Sequence, residues 1–382
     1  MRSIVPAASV ALLLITSEGA SPQTPEATQF TTTVDSYLSR LERSDSLSGT
    51  VLIARDGHII FEHSYGKANV ELSVPNSNNT RYRIFSTTKQ FTAAAVLILA
   101  GEGRIDLHAS VLKYLPELPS EWQGATVQEM LTHTSGIPNE ENTWAQTFMQ
   151  NDVKTQLANL ALVAPKLAGH RLTDPPGSKW RYNNFAYDLL ACIVARVSNQ
   201  GYASFVREHI FTPAGMLDAG FDDRRQAEGG MYVGSASIPR LASGYNGTPG
   251  NLMTAFPQMF ASRGAGGIYA TAEDLFHYDN AISAGRIVPP ELERQAVDSA
   301  YSTGPDAAYG YGWMISRKDS ITVVHHSGGT NGYVADYARY PASRICIVIL
   351  TNRGFTNLSP IRDTIFRMVS SPVQASGRRP GA

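Results

Sequence analysis

Cysteine is nearly absent: 382 residues carry two, Cys192 and Cys346. Each lies in an apolar run, one helix-like and one strand-like, with no basic neighbour to stabilise a thiolate. Two buried thiols are expected, rather than a disulfide framework or a reactive cysteine. Paired histidines at helical spacing, Cys/His clusters and carboxylate clusters are also missing, so nothing calls for a metal or another cofactor. Gly264-Ala265-Gly266-Gly267 does not complete a dinucleotide or phosphate fingerprint and reads as a tight turn. Net charge is −1 with no basic block, which excludes a nucleic-acid partner recognised through charge. Fixed-period repeats and low-complexity tracts are absent from the body of the chain. The apolar run from Ile4 to Ile15 is too short to span a bilayer comfortably. With Arg2 before it and Ser17-Glu18-Gly19 after it, residues 1–19 have the pattern of a secretory signal. A secreted or periplasmic protein without a stable membrane span is expected.

What is present is a globular composition, 43% hydrophobic and 17% charged, enough for a substantial core. Residues 20–33 read as a flexible leader and 371–382 as a disordered Gly/Pro/Arg tail. Between them, Val34, Tyr37, Leu38 and Leu41 mark an amphipathic helix. Two strands follow, 49–54 and 58–63, around an Asp56-Gly57 turn. The chain then becomes mostly helical and loop-rich to about Gly264, with helices over 126–132 and 185–197 and a capping box at Thr271-Ala272-Glu273-Asp274. Strands return over 311–315, 322–326, 332–338 and 345–350, before a closing helix over 359–369. Sheet at both ends of the domain, residues 34–370, predicts an α/β (α+β) fold. Its antiparallel sheet is built from both termini with flanking helices (34–85 and 265–370), and a mostly helical lobe (86–264) is inserted.

Ser86-Thr87-Thr88-Lys89 stands where the Tyr82–Phe85 segment gives way to the apolar run Phe91 to Ala100. In a helix, Ser86 and Lys89 share one face at its N-terminus, where main-chain N–H groups favour developing negative charge. A serine hydroxyl needs a base within reach. Lys89 can be that base if burial and nearby positive groups lower its pKa. The tetrad alone is weak, since roughly one or two Ser-x-x-Lys matches arise by chance in a chain this long. Ser110-Val111-Leu112-Lys113 is such a match, with Ser110 read as a helix cap. Tyr182-Asn183-Asn184 lies in a loop after Pro176-Gly177 and offers a proton-shuttling phenol, whereas Tyr278-Asp279-Asn280 repeats the spacing inside a helix and reads as core. His326-Ser327-Gly328-Gly329 ends a strand. Its glycines would let an extended substrate approach as an added strand, although a plain hairpin loop explains the same residues. His325 should point to the opposite face.

Taken in order, Ser86-x-x-Lys89, Tyr182-x-Asn184 and His326-Ser327-Gly328 resemble the motifs of the serine β-lactamase and penicillin-binding protein family. The likeness is to the branch holding class C β-lactamases, D-alanyl-D-alanine carboxypeptidases and related esterases. Leu131-Thr132-His133-Thr134-Ser135-Gly136, Gly266-Gly267 ahead of Thr271, and Tyr309-Gly310-Tyr311-Gly312-Trp313 resemble family segments too, so the likeness covers roughly residues 34–370. It implies a β-lactamase-like fold and hydrolysis of an amide, β-lactam or ester through an acyl-enzyme on Ser86. Lys89 and Tyr182 would move the proton, with Tyr182 serving deacylation. Asn184, His326, Ser327 and Gly328 would bind substrate, and the N–H groups of Ser86 and Gly329 would form the oxyanion hole. The implied partner is a small-molecule or peptide substrate, cell-wall peptide among them. The alternatives are an esterase and a penicillin-binding sensor that is acylated without turnover.

One departure is His326, where β-lactamases of this branch carry Lys. With a pKa near the usual value of about 6.5, a histidine would be partly charged at neutral pH, so carboxylate binding is expected to strengthen below it.

Overall fold

The computed structural model describes residues 25–140, 157, 160–221, 225–226, 232–233, 238–255, 263–330 and 332–370. The expected signal segment and the C-terminal tail lie outside them. The first helix, α1 (Pro25–Arg43), begins inside the segment read as a flexible leader, with Pro at its first position. Proline fits there because it has no N–H to leave unpaired.

Strands β1 (Gly49–Arg55) and β2 (His58–Tyr65) form the predicted hairpin. Helix α2 (Thr88–Gly101) follows, then the short α3 (Val127–Leu131), α4 (Asn184–Ser198) and α5 (Ala272–Ser283). The last third supplies β3 (Tyr301–Gly304), β4 (Ala307–Tyr309), β5 (Met314–Lys318), β6 (Ile321–Thr330), β7 (Tyr333–Tyr340) and β8 (Ile345–Thr351), then α6 (Leu358–Ser370). One antiparallel sheet runs in the order β3-β4-β5-β6-β7-β8-β1-β2. The join between the termini is β1 against β8, with Gly49 opposite Thr351 and Arg55 opposite Ile345.

Those two strands are apolar at nearly every position because both faces of the sheet are covered. Val51, Ile53, Ile347 and Ile349 pack under α1 and α6 with Val34, Leu38, Ile361 and Ile365. The alternate residues Leu52, Val348 and Leu350 join the larger core on the other side, around Phe91, Leu97 and the α4 residues Leu189, Leu190 and Ile193. Helix α2 runs through that larger core. All its residues except Ile98, Ala100 and Gly101 are buried.

One reading needs correction, and two features were not foreseen. The strand expected over 311–315 starts only at Met314. Gly312 turns the chain with φ +76°, and a side chain there would press on the main chain of Lys89 and Gln90. The edge strand β3 and its neighbour β4 were not foreseen, being short and separated by the Gly304-Pro305 turn. The inserted lobe also contains a small antiparallel pair, Tyr245–Thr248 with Asn251–Thr254, turned through Pro249-Gly250. Both cysteines are buried thiols, Tyr278 is core and Ser110 caps a short helix by accepting from Leu112 N–H at 3.2 Å, all as expected.

Phe91 ties α2 to α5. It is fully buried, stacked on Tyr278 at 4.3 Å between ring centroids and edge-on to Phe211 at 5.8 Å. Phe91→Ala should cost about 3–5 kcal/mol of stability, read as a lower urea midpoint; a midpoint within error of the parent would contradict this packing.

Candidate active site

Ser86 sits in a single 3-10 turn, Phe85–Thr87, that leads straight into α2. The preceding Phe85 has φ +43°, a left-handed conformation that a bulky residue adopts only under constraint from its surroundings. Part of that constraint is β6. A side chain at Gly328 would collide with the Ile84 carbonyl oxygen and would come within 2.8 Å of the Ser86 nitrogen and 2.9 Å of the Thr87 nitrogen. Only glycine lets the strand and the turn approach this closely. Thr87 Oγ1 fastens the approach by donating to the His326 carbonyl at 3.2 Å.

The four residues from Ser86 to Lys89 split between wall and centre: Thr87 and Thr88 are buried, Ser86 is half-buried and Lys89 is completely enclosed. Lys89 Nζ lies 3.3 Å from Ser86 Oγ, 2.6 Å from Asn184 Oδ1 and 3.1 Å from the Ala265 carbonyl. It also stands 4.5 Å from the centroid of the Tyr182 ring and 5.6 Å from that of Tyr187. Asn184 Oδ1 and Ala265 O can only accept, whereas the serine hydroxyl can donate or accept. The set therefore suits a neutral amine that donates twice and receives the Ser86 proton. It equally suits the ammonium formed afterwards, with two aromatic faces to soften its charge.

Ala265 reaches the lysine because Ile84 N–H donates to the Ile268 carbonyl at 3.1 Å, and Ile268–Ala270 pairs with Tyr82–Arg83 and Gly220–Phe221. The 263–266 segment is one helical turn whose Gly264 abuts the Tyr187 carbonyl of α4. The glycine-rich run is thus a structural turn, as read, and it also supplies an acceptor to Lys89.

Tyr182 and Asn184 are set by Asn183. This middle residue caps α4, accepting from Ala186 N–H at 2.9 Å, while its Nδ2 donates to the Ile137 carbonyl at 2.6 Å. Its main-chain N–H donates to His133 Nδ1 at 3.1 Å. His133 follows α3 with φ +60°. Its ring is buried, with centroids of Tyr182 and Tyr309 at 4.5 Å and of Tyr187 at 5.0 Å. Since Nδ1 accepts, the proton of the neutral ring lies on Nε2, which has no hydrogen-bond partner among the described residues. Burial first, then the charge of Lys89, hold the His133 pKa well below its usual value.

Gly328 and Gly329 are not a loop. They lie inside β6, opposite Ala335 and Val334 of β7. On its other side β6 loses its partner at His325, which faces Met314, the first residue of β5. Among the described residues, His326 to Thr330 are therefore paired along one edge and open along the other. The open edge carries half-buried Ser327 and exposed Gly329. His325 turns to the opposite face, as expected, where Arg362 Nη1 donates to its Nδ1 at 3.1 Å and to Asp336 at 2.8 Å.

His326 departs from expectation. It is fully buried, with Nδ1 2.6 Å from the Ser327 carbonyl and Nε2 2.9 Å from the Tyr309 hydroxyl. A carbonyl only accepts, so Nδ1 carries the proton and Tyr309 donates to Nε2. Burial, with the charge of Lys89 next, pushes the pKa down to about 3. The imidazole is neutral across the physiological range rather than partly charged. This was not legible beforehand, because a histidine beside Ser-Gly-Gly carries no sign of how deeply it is buried. His133 and Tyr309 were visible only as members of family-like segments.

A family model described as Beta-lactamase matches residues 34–369. The chain belongs to the beta-lactamase family. Its relatives include Penicillin-binding protein 4* of Bacillus subtilis (strain 168), 28% identical over 327 residues, covering 82% of this chain and 70% of the relative. The chain spans 70% of the length of that relative and 60–61% of that of the Staphylococcus aureus protein flp, which is 26% identical to it. A solved penicillin-binding protein from Bacillus halodurans is 26% identical with a TM-score of 0.72, covering 87% of this chain and 99% of that one. A class C beta-lactamase structure at 20% identity and TM-score 0.71, covering 93% and 98%, shares the fold. This beta-lactamase-family protein is thus of a serine hydrolase family. Among its described residues no helix is long and apolar enough to cross a membrane.

The buried neutral His326 has a consequence for stability. In the unfolded chain the imidazole takes its proton near pH 6.5, but in the folded one only near 3. Between those values the unfolded state binds the extra proton, so stability falls as pH falls, by about 1.4 kcal/mol per pH unit for each such imidazole. Thermal unfolding followed from pH 7 to pH 4 should show this acid limb, shared with His133 and shallower in His326→Gln. An identical slope in the two proteins would contradict a neutral buried His326. Gly328→Ala should separate β6 from the Ser86 turn and be read as loss of acylation with a lower melting temperature; a fully active variant would show that the close approach is not needed.

Proposed function

We propose that this protein hydrolyses an amide, β-lactam or ester through an acyl-enzyme on Ser86. The observation that carries the proposal is the enclosed Lys89 amine, 3.3 Å from Ser86 Oγ and held by two acceptors from separate elements. In this reading Lys89 receives the hydroxyl proton as Ser86 attacks the carbonyl carbon. The oxyanion collects on the N–H groups of Ser86 and Gly329, helped by the N-terminal end of α2. Tyr182, whose ring covers Lys89 Nζ, passes the proton to the departing group. It then draws a proton from the water that cleaves the acyl-enzyme. Asn184 holds Lys89 through Oδ1 and meets the substrate's amide through Nδ2.

The open edge of β6 receives the substrate main chain, with Ser327 hydrogen-bonding to it and Gly328 and Gly329 allowing close approach. Such an edge suits an extended peptide, so a D-Ala-D-Ala carboxypeptidase or β-lactamase-like activity on a cell-wall peptide or an antibiotic is one form of the proposal. The neutral His326 favours esterase action as the second form. A sensor that is acylated without turnover is less well supported, because the proton-moving groups Lys89 and Tyr182 are both in place. The N-terminal pattern Arg2, Ile4 to Ile15 and Ser17-Glu18-Gly19 supports secretion or a periplasmic location.

Incubation with a labelled penicillin and a chromogenic ester, followed by intact mass over time, tests the reading. A mass increase on Ser86 is expected, absent in Ser86→Ala, with acylation slowed about 10²–10⁴-fold in Tyr182→Phe. Rapid loss of the penicillin label marks β-lactamase action, persistence marks a peptidase or sensor, and ester turnover without a penicillin adduct marks an esterase. Unchanged turnover in Ser86→Ala would sink the proposal.

A further inference from the structure

The residue that faces the substrate edge beside Ser327 is a histidine with both ring nitrogens already committed. Nδ1–H donates to the Ser327 carbonyl at 2.6 Å and Nε2 accepts from the Tyr309 hydroxyl at 2.9 Å. The ring has no exposed surface. To bind a carboxylate it would have to break one of these bonds, emerge from burial and acquire a proton. Each step is unfavourable, since a buried polar group that loses its partner costs about 1–3 kcal/mol.

The groups packed around the ring reinforce its neutrality. Tyr309 comes from β4, and its hydroxyl stays protonated because burial raises its pKa well above the usual value. Tyr182 lies 6.3 Å away between ring centroids. Lys89 from α2 and His325 on the adjacent strand position oppose a second positive charge. Several cations of the described residues are otherwise engaged. Arg362 lies across the sheet against Asp336, Arg181 is paired with Asp174, and Arg83 lies against the Tyr333 hydroxyl at 3.1 Å. Lys89 is held by Ser86, Asn184 and Ala265. Of the groups named here at the edge, Ser327 offers an uncharged hydroxyl.

We infer that the site selects acyl donors whose leaving-group side is uncharged, esters and neutral amides, over those that present a carboxylate to β6. His326 acts there as a positioning residue, a strut between Tyr309 and the strand that keeps the Ser327 peptide oriented. This inference rests on Ser86 being the nucleophile and specifies the substrate class of that same site.

The test compares a penicillin with its methyl ester, which share one reacting carbonyl and differ in the carboxylate. Rates of adduct formation on Ser86 are read by intact mass from pH 5 to 8. The expected result is that the ester acylates at least as fast as the free acid, with a ratio that stays flat over that range. His326→Lys should move the ratio at least tenfold toward the acid. A parent enzyme that favours the acid tenfold or more, or whose preference for it grows as pH falls, overturns the inference while leaving Ser86 as nucleophile. A folded His326→Lys protein with an unmoved ratio overturns it as well. A Ser86 adduct from the chromogenic ester but from neither penicillin compound overturns the inference and leaves the nucleophile, whereas absence of a Ser86 adduct from all three overturns the nucleophile assignment, and the substrate class with it.

Discussion

A lysine amine with no exposed surface is the constraint that organises this molecule. Burying it is tolerable only if its N–H groups meet acceptors, and the acceptors come from far along the chain: Asn184 at the start of α4 and Ala265 in a glycine-rich turn. Neither can be in place unless the surrounding elements are. Asn184 depends on the Asn183 cap, which in turn leans on His133 and Ile137. Ala265 depends on the small sheet through Ile268. Helix α2 carries Lys89 and must therefore lie inside the protein, which is why it is apolar almost throughout.

The second organising demand is closeness. β6 approaches the Ser86 turn so nearly that Gly328 has no room for a side chain, and Gly312 meets the opposite side of α2's first turn in the same way. Phe85 takes a left-handed backbone between these contacts. The hydroxyl, the amine and the open strand edge are fixed by main-chain packing, and the side chains need little freedom to find one another.

Much of this was legible in the sequence. Helix α2 announced itself as an apolar run after a polar tetrad, and β8 as six β-formers in a row, Ile345 to Leu350. Thr271 showed its capping box, and the order of the three motifs carried the family resemblance. What stayed hidden depended on depth and on partners distant in the chain. His326 looked like an exposed, titrating group because burial is decided by Tyr309, Tyr182 and α2, none of which adjoins it in sequence. His133 and Ala265 sit in turn-like segments whose local chemistry says only that the chain bends there. The edge strand β3 and its neighbour β4 are too short for their pattern to stand out, yet β4 holds the tyrosine that engages His326.

The central pairing of β1 with β8 joins residues near the two ends of the domain, Gly49 opposite Thr351. Its meaning extends to how the protein is made. β1 can form its hairpin with β2 early, but its other edge has no partner until nearly the whole chain has been synthesised. Folding must close a loop of about 300 residues, and topologies with such distant contacts fold slowly. The nascent protein therefore carries an unpaired, strongly apolar strand for most of its synthesis, and a chain interrupted before Ile345 has no means of completing the sheet.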